Sequence, residues 1–103
     1  MSTQDGVYTI TNKAAATTDE AGIAAAATMR LCGYSIRETA AAAATVDISH
    51  GAAAGTIIMA ENLAASTSVF RWFGAEGIPV PLGVWIERLT GTTLVTLITK
   101  TVA

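Results

Sequence analysis

The stretch that decides the fold is Thr45-Val46-Asp47-Ile48-Ser49-His50, followed by Gly51-Ala52-Ala53-Ala54-Gly55 and then Thr56-Ile57-Ile58-Met59-Ala60-Glu61-Asn62-Leu63. Side chains along a strand point alternately to its two faces. Val46 and Ile48 therefore turn one way while Thr45, Asp47 and Ser49 turn the other, the period-two pattern of a half-exposed strand. Gly51 and Gly55 bracket a segment able to reverse direction through positive φ. Residues 56–63 are then expected to return as the partner strand.

The same grammar extends outward. From residue 28 onward, short runs rich in β-branched and aromatic residues alternate with Gly, Ala and Ser clusters at roughly ten-residue intervals, which predicts an all-β domain. Residues 28–37 put Arg30, Cys32, Tyr34 and Ile36 on one face and Met29, Leu31, Gly33 and Ser35 on the other. Both faces are half apolar, as in a central strand. In Ser68-Val69-Phe70-Arg71-Trp72-Phe73, the pair Phe70 and Trp72 faces away from Val69, Arg71 and Phe73, and this run is expected to contribute most to the core. Gly74-Ala75-Glu76-Gly77 reads as a turn. The prolines of Ile78-Pro79-Val80-Pro81 leave two N–H groups missing on one side, which an edge segment tolerates.

Residues 83–90 and 92–102 complete the series, with Thr90-Gly91-Thr92 expected to close a second tight hairpin. In the last strand Leu94, Thr96 and Ile98 alternate with Val95 and Leu97, so it is apolar on both sides and expected to be central. At the start, Val7-Tyr8-Thr9-Ile10-Thr11 alternates as a short strand. Residues 12–27 are low in complexity and read as an extended arm, with a short helix after Asp19-Glu20 as the alternative because Ala is the best helix former. The expected architecture is a single antiparallel β-sandwich, jelly-roll-like, over residues 28–103, with residues 1–27 as an N-terminal strand and arm.

Composition narrows the function. A chain of 103 residues fits one domain with one modest core. The chain is 51% apolar, but 21 residues are Ala, whose methyl adds little on burial compared with a Val, Leu or Phe. Since each ordered residue costs about 1 to 2 kcal/mol of backbone entropy, contact with copies or a host lattice would widen a thin margin. Only 14% of residues are charged and the net charge is −2. Lys13, Arg30, Arg37, Arg71, Arg88 and Lys100 are spread evenly, so no nucleic-acid partner is expected. A surface poor in Lys and Glu suits a protein packed against others. No window of about 18 residues is continuously apolar and no signal-peptide pattern opens the chain, so no membrane partner and synthesis in the cytoplasm are expected.

Chemistry-bearing residues are sparse. The single cysteine, Cys32, rules out an internal disulfide and is expected as a buried small hydrophobe. A nucleophilic pair would need Cys32 with His50, reachable only if their strands are hairpin neighbours, and no orienting acid accompanies them. Asp47, His50, Glu61, Glu76 and Glu87 are scattered singly, short of the ligand sets that zinc requires. No enzyme activity, catalytic residue, metal site or cofactor is therefore expected. The aromatics Phe70, Trp72, Phe73 and Trp85 read as core packing, with stacking on a base or sugar as the alternative. Arg71 and Arg88 are expected to pair with Glu87 or with a partner's carboxylate at the surface, where such pairs are worth only ~0 to 1 kcal/mol.

Residues 30–93 carry a resemblance. It rests on Leu31-Cys32-Gly33-Tyr34-Ser35-Ile36-Arg37-Glu38-Thr39, the Ala- and Thr-rich strand that follows, and Trp72-Phe73-Gly74-Ala75-Glu76-Gly77-Ile78-Pro79-Val80-Pro81-Leu82-Gly83-Val84 leading into Thr90-Gly91-Thr92. This pattern resembles small β-sandwich virion structural proteins of tailed phages, particularly those infecting actinobacteria. The resemblance implies a capsid decoration (cement) protein on the virion surface, self-associating as a homotrimer and bound to the major capsid protein lattice, with no catalytic residues. A tail, neck or baseplate accessory protein is the neighbouring alternative. A carbohydrate-binding β-sandwich using Trp72 or Trp85 is the alternative of another class. In the decoration reading residues 2–27 are expected to order on the capsid or on an adjacent copy by adding a strand to a sheet edge.

Overall fold

The computed structural model describes residues 7–52 and 55–101, which form strands and turns throughout. In chain order the strands are β1 (Thr9–Ala16), β2 (Glu20–Ile23), β3 (Met29–Glu38), β4 (Ala44–His50), β5 (Ile57–Leu63), β6 (Ser68–Trp72), the two-residue β7 (Ile78–Pro79), β8 (Val84–Thr90) and β9 (Thr93–Thr101). One sheet runs β1-β9-β3-β6, with β7 also on β3; the other runs β2-β8-β4-β5. Every pairing is antiparallel.

The pairings nest. β4 and β5 pair as the expected hairpin, and outward from it β3 pairs with β6, β2 with β8 and β1 with β9. This is one long antiparallel ribbon. It folds over so that β9 also meets β3 and β8 also meets β4, giving a five-stranded and a four-stranded layer wound as a jelly roll. Residues 9–23 are extended, not helical, and they pair within the chain as the edge strands of both sheets. The segment 2–6 of the expected arm lies outside the described residues.

One expected hairpin does not form. β8 and β9 are consecutive but belong to different sheets, so residues 90–92 carry the chain from one layer to the other. Gly91 permits the crossing: its φ is +82°, and a Cβ there would stand 2.6 Å from that of Ala44. Register explains why the sequence misleads, since two alternating runs around a Gly look alike whether they pair with each other or across layers.

The core lies between the sheets. Tyr34 and Ile36 of β3, Val46 and Ile48 of β4, Val84 and Ile86 of β8, and Val95 and Leu97 of β9 are fully buried together with Leu31 and Val80. Each buried aliphatic side chain contributes about 1.5 to 3 kcal/mol. In β4, Val46 and Ile48 face the core while Thr45 and Asp47 face away as expected, but the register with β5 shifts between Ile48 and Ser49 and Ser49 is fully buried; β3 and β9 are interior strands of their sheet. Within β3, however, the pairing with β9 slips between Leu31 and Gly33. That bulge reverses the parity, so Leu31 and Tyr34 both face the core although strict alternation separates them.

Candidate functional site

The residues singled out for chemistry do not converge. Cys32 lies on β3 and His50 on β4, in different sheets, so the hairpin neighbourhood that a thiol–imidazole pair would need is missing. Cys32 is fully buried, with Sγ 3.8 Å from the Ala75 carbonyl. Burial pushes its thiol up, against the opposing pull of Lys100 and Arg30. A thiol kept protonated is a poor nucleophile. His50 accepts the Leu82 N–H at Nε2, 3.2 Å away, and so holds a turn. Among the described residues no three metal-ligating side chains gather and no cleft opens at the surface.

The polar side chains instead tie the layers together. Glu61 of β5 reaches across to the opposite sheet, where the Tyr34 hydroxyl donates to its Oε2 at 2.5 Å and Arg71 donates from Nε at 2.7 Å and Nη2 at 3.0 Å. The Arg71 fork, with help from Tyr34, holds the Glu61 carboxyl below the ordinary carboxylate range despite burial. Burial, then the bond to Glu61, pushes the Tyr34 phenol up, so it remains a neutral donor. Glu38, the last residue of β3, acts in a similar way on the backbone. Its carboxylate accepts the N–H groups of Ser66 at 2.7 Å and Ala40 at 2.6 Å, which lowers its pKa and secures two loops whose Ala41 and Ser66 sit at φ of 57° and 59°.

At the opposite edge Arg88 is buried, not the surface residue its composition suggests, and its partner is Glu20 instead of Glu87. Nε donates to the Thr93 carbonyl and hydroxyl at 3.2 and 3.0 Å, Nη1 to the Thr18 carbonyl at 2.8 Å and Glu20 Oε2 at 2.5 Å, and Nη2 to the Ala14 carbonyl at 3.4 Å. Asp19 accepts the Arg88 backbone N–H at 2.9 Å. One guanidinium thus fastens the β1–β2 connection to both sheets. Its partners Ala14, Thr18 and Glu20, about seventy residues earlier, were not legible in the sequence.

The aromatic run is the main reversal. Phe70 and Trp72, expected in the core, are 58% and 49% exposed on the outer face of the β1-β9-β3-β6 sheet, while Phe73 packs inward against Tyr34 with ring centroids 5.9 Å apart. Two features explain the parity. Arg71 must face inward to reach Glu61, and Gly33, opposite Trp72 in register, leaves room for the indole to lie over the sheet. A Cβ at Gly33 would approach Trp72 Cε3 to 2.9 Å and the Arg71 carbonyl to 2.6 Å. Tyr8 leans on Trp72 at 5.9 Å between centroids, and Lys100 Nζ stands 5.5 Å from the Tyr8 ring centre. With Ile10, 65% exposed, these side chains make an open apolar patch on that face.

No family model matches the chain, and no curated protein does. Among solved structures, one described as "Bacillus endospore appendages form a novel family of disulfide-linked pili" is similar at 20% identity, covering 97% of this chain and 95% of that chain with a TM-score of 0.40.

Proposed function

We propose that this chain is a structural subunit that works by surface contact alone: a capsid decoration protein of a tailed phage, seated on the assembled shell of major capsid protein. The observation that supports this most is the open patch of Tyr8, Ile10, Phe70 and Trp72. A fold that spends its buried polar groups on internal clasps, yet leaves four large apolar side chains on one sheet face, is suited to covering that face with a partner. The resemblance of residues 30–93 to virion structural proteins points the same way.

The mechanism is mass action. A subunit that binds only the assembled lattice stabilises it by RT ln(1 + [L]/Kd), and self-association would add avidity at positions where shell subunits meet. Neither nucleic acid nor membrane enters this scheme, and the working location is the virion surface. Purified protein added to undecorated shells tests it. Saturable binding at hundreds of copies per shell, weakened by Phe70→Ser, is the expected result. Absence of binding, or a handful of copies confined to one vertex, defeats the decoration reading; the latter outcome selects the neck or tail alternative.

A second reading is favoured by one feature, the exposed indole of Trp72 with Tyr8 tilted against it. Such a pair presents an aromatic platform to a sugar ring. Tryptophan fluorescence titrated against a broad glycan panel checks it, and an unchanged spectrum excludes it.

A further inference from the structure

We infer that copies of this chain associate face to face, the outer face of the β1-β9-β3-β6 sheet of one copy seating on the outer face of the β2-β8-β4-β5 sheet of the next. The charges carry the inference. On β3 and β9 the core positions Leu31, Tyr34, Ile36, Val95 and Leu97 leave Arg30, Arg37 and Lys100 pointing outward. On β4 and β8 the core positions Val46, Ile48 and Ile86 leave Asp47 and Glu87 outward. One face therefore bears the exposed Arg37, the half-buried Arg30 and, beneath the Tyr8 ring, the buried Lys100, with no carboxylate among its described strand residues. The other bears two carboxylates and no cation.

Register sharpens the contrast. Arg30 stands directly opposite Lys100, and Asp47 directly opposite Glu87. Like charges facing each other across a ladder are unfavourable, and this chain keeps one such pair of each sign, on opposite faces. None of the five side chains has an opposite charge within ion-pair distance among the described residues, where the pairs are Lys13 and Arg88 with Glu20 and Arg71 with Glu61. The basic pair is partly occupied: Arg30 Nη1 donates to the Glu76 carbonyl at 3.4 Å and Lys100 lies over Tyr8. Arg37 is exposed and unengaged. Because each face supplies the charge the other lacks, the fitting occupant is a second copy.

Geometry then dictates the assembly. The two faces lie on opposite sides of the sandwich, so the contact is heterologous and repeats into an open stack or a many-membered ring, not a closed pair. Four strands ~4.8 Å apart and about six residues long give a footprint of roughly 400 Å² per face, about half that of a standard specific interface and the size of a weak, transient contact. Association is therefore weak, steeply salt-dependent and dependent on repetition. The patch of Ile10, Phe70 and Trp72 on one face, and Leu89 and Ile57 on the strands of the other sheet, supplies exposed apolar area.

This inference rests on the structural-subunit reading, and its test separates the two. Sedimentation of the full chain at low salt is expected to show a concentration-dependent series of species that collapses at about 0.5 M salt. Neutralisation by Asp47→Asn with Glu87→Gln is expected to weaken association about tenfold or more, whereas Ala24→Lys with Ala25→Lys, an equal change in net charge at an exposed loop, is not. Reversal by Asp47→Lys with Glu87→Lys, and separately by Arg30→Glu with Arg37→Glu, is expected to give two monomeric proteins that associate again when mixed, circular dichroism verifying that each is folded. A wild-type monomer at every concentration, or a discrete oligomer indifferent to these changes, overturns the inference. If that monomer still decorates shells, the structural reading stands without it; if stacks form but shells are ignored, the inference holds and the capsid reading falls.

Discussion

Arg88 offers the most decisive test of how this fold is held together. Replacing it by Met keeps the apolar stem and removes only the guanidinium, whose side chain is wholly buried. Thr93, itself fully buried, then loses the donor to its carbonyl and hydroxyl, and an orphaned buried group costs about 1 to 3 kcal/mol. The charge-assisted bond to Glu20 adds less than its full ~1.5 to 3 kcal/mol, because Glu20 is one-third exposed and regains water. Ala14 and Thr18 are exposed, and their carbonyls rehydrate at little cost. The sum is about 3 kcal/mol, or a fall in Tm of roughly 12 to 24 °C for a domain of this size. Urea denaturation measures the total, and hydrogen exchange localises it: amides of residues 9–23 should lose protection first. A loss under about 1 kcal/mol, or exchange that quickens evenly over the chain, would refute the claim that this side chain fastens the N-terminal strands.

Three further outcomes follow from the same geometry. Gly33→Val should cost about 1 to 3 kcal/mol and shift the tryptophan emission, because the new side chain drives Trp72 off the sheet; an unchanged spectrum would contradict the placement of the indole. Glu61 and Glu38 both have pKa values depressed in the folded state, so the stability they add is present above the ordinary carboxylate value of 4.5 and lost as pH falls through their lower folded values; acid titration of stability should show this decline, and Glu61→Gln should flatten it while lowering stability at neutral pH. Cys32 should react with alkylating reagents only as fast as the domain opens, with a rate that climbs in denaturant, and rapid modification of the native protein would show the thiol to be accessible.

Much of the fold is legible in the sequence because alternation and turn residues act locally. Val46 and Ile48, the Gly51–Gly55 reversal, the two-sided apolar pattern of residues 94–98 and the marginal position of Pro79 all follow from period-two geometry and backbone sterics. The misreadings share one cause: each depends on a partner far away in the chain. Whether residues 90–92 turn back or cross over is set by competition among strands for neighbours, not by Gly91. The β3 bulge is needed to bring both Leu31 and Tyr34 inward, and nothing in residues 28–37 announces it. The charge contrast between the two outer faces could have been counted from the sequence had the sheet membership of each strand been known.

The parity of β6 shows how such a choice is made. Turning Phe70 and Trp72 inward would bury two large rings, each worth about 2 to 3 kcal/mol by area alone, so a hydrophobic tally favours the arrangement the molecule rejects. A one-residue slip flips every side chain on the strand. It would carry Val69 and Phe73 out of contact with the core, and it would take the Arg71 fork away from Glu61. That carboxylate is buried and charged, and stripping its cation leaves its oxygens short of their donors; because Arg71 is itself 46% exposed and the pair is partly screened, the loss is about 1 to 3 kcal/mol. The Tyr34 hydroxyl would be left donating to a carboxylate with no counter-ion. Outside, Phe70 and Trp72 lie opposite Ser35 and Gly33 in register, and Tyr8 leans on Trp72. Local apolarity therefore loses to a polar triad assembled from three strands, and the exposed aromatic face on which the proposed contacts depend is the consequence of that inward-facing arginine.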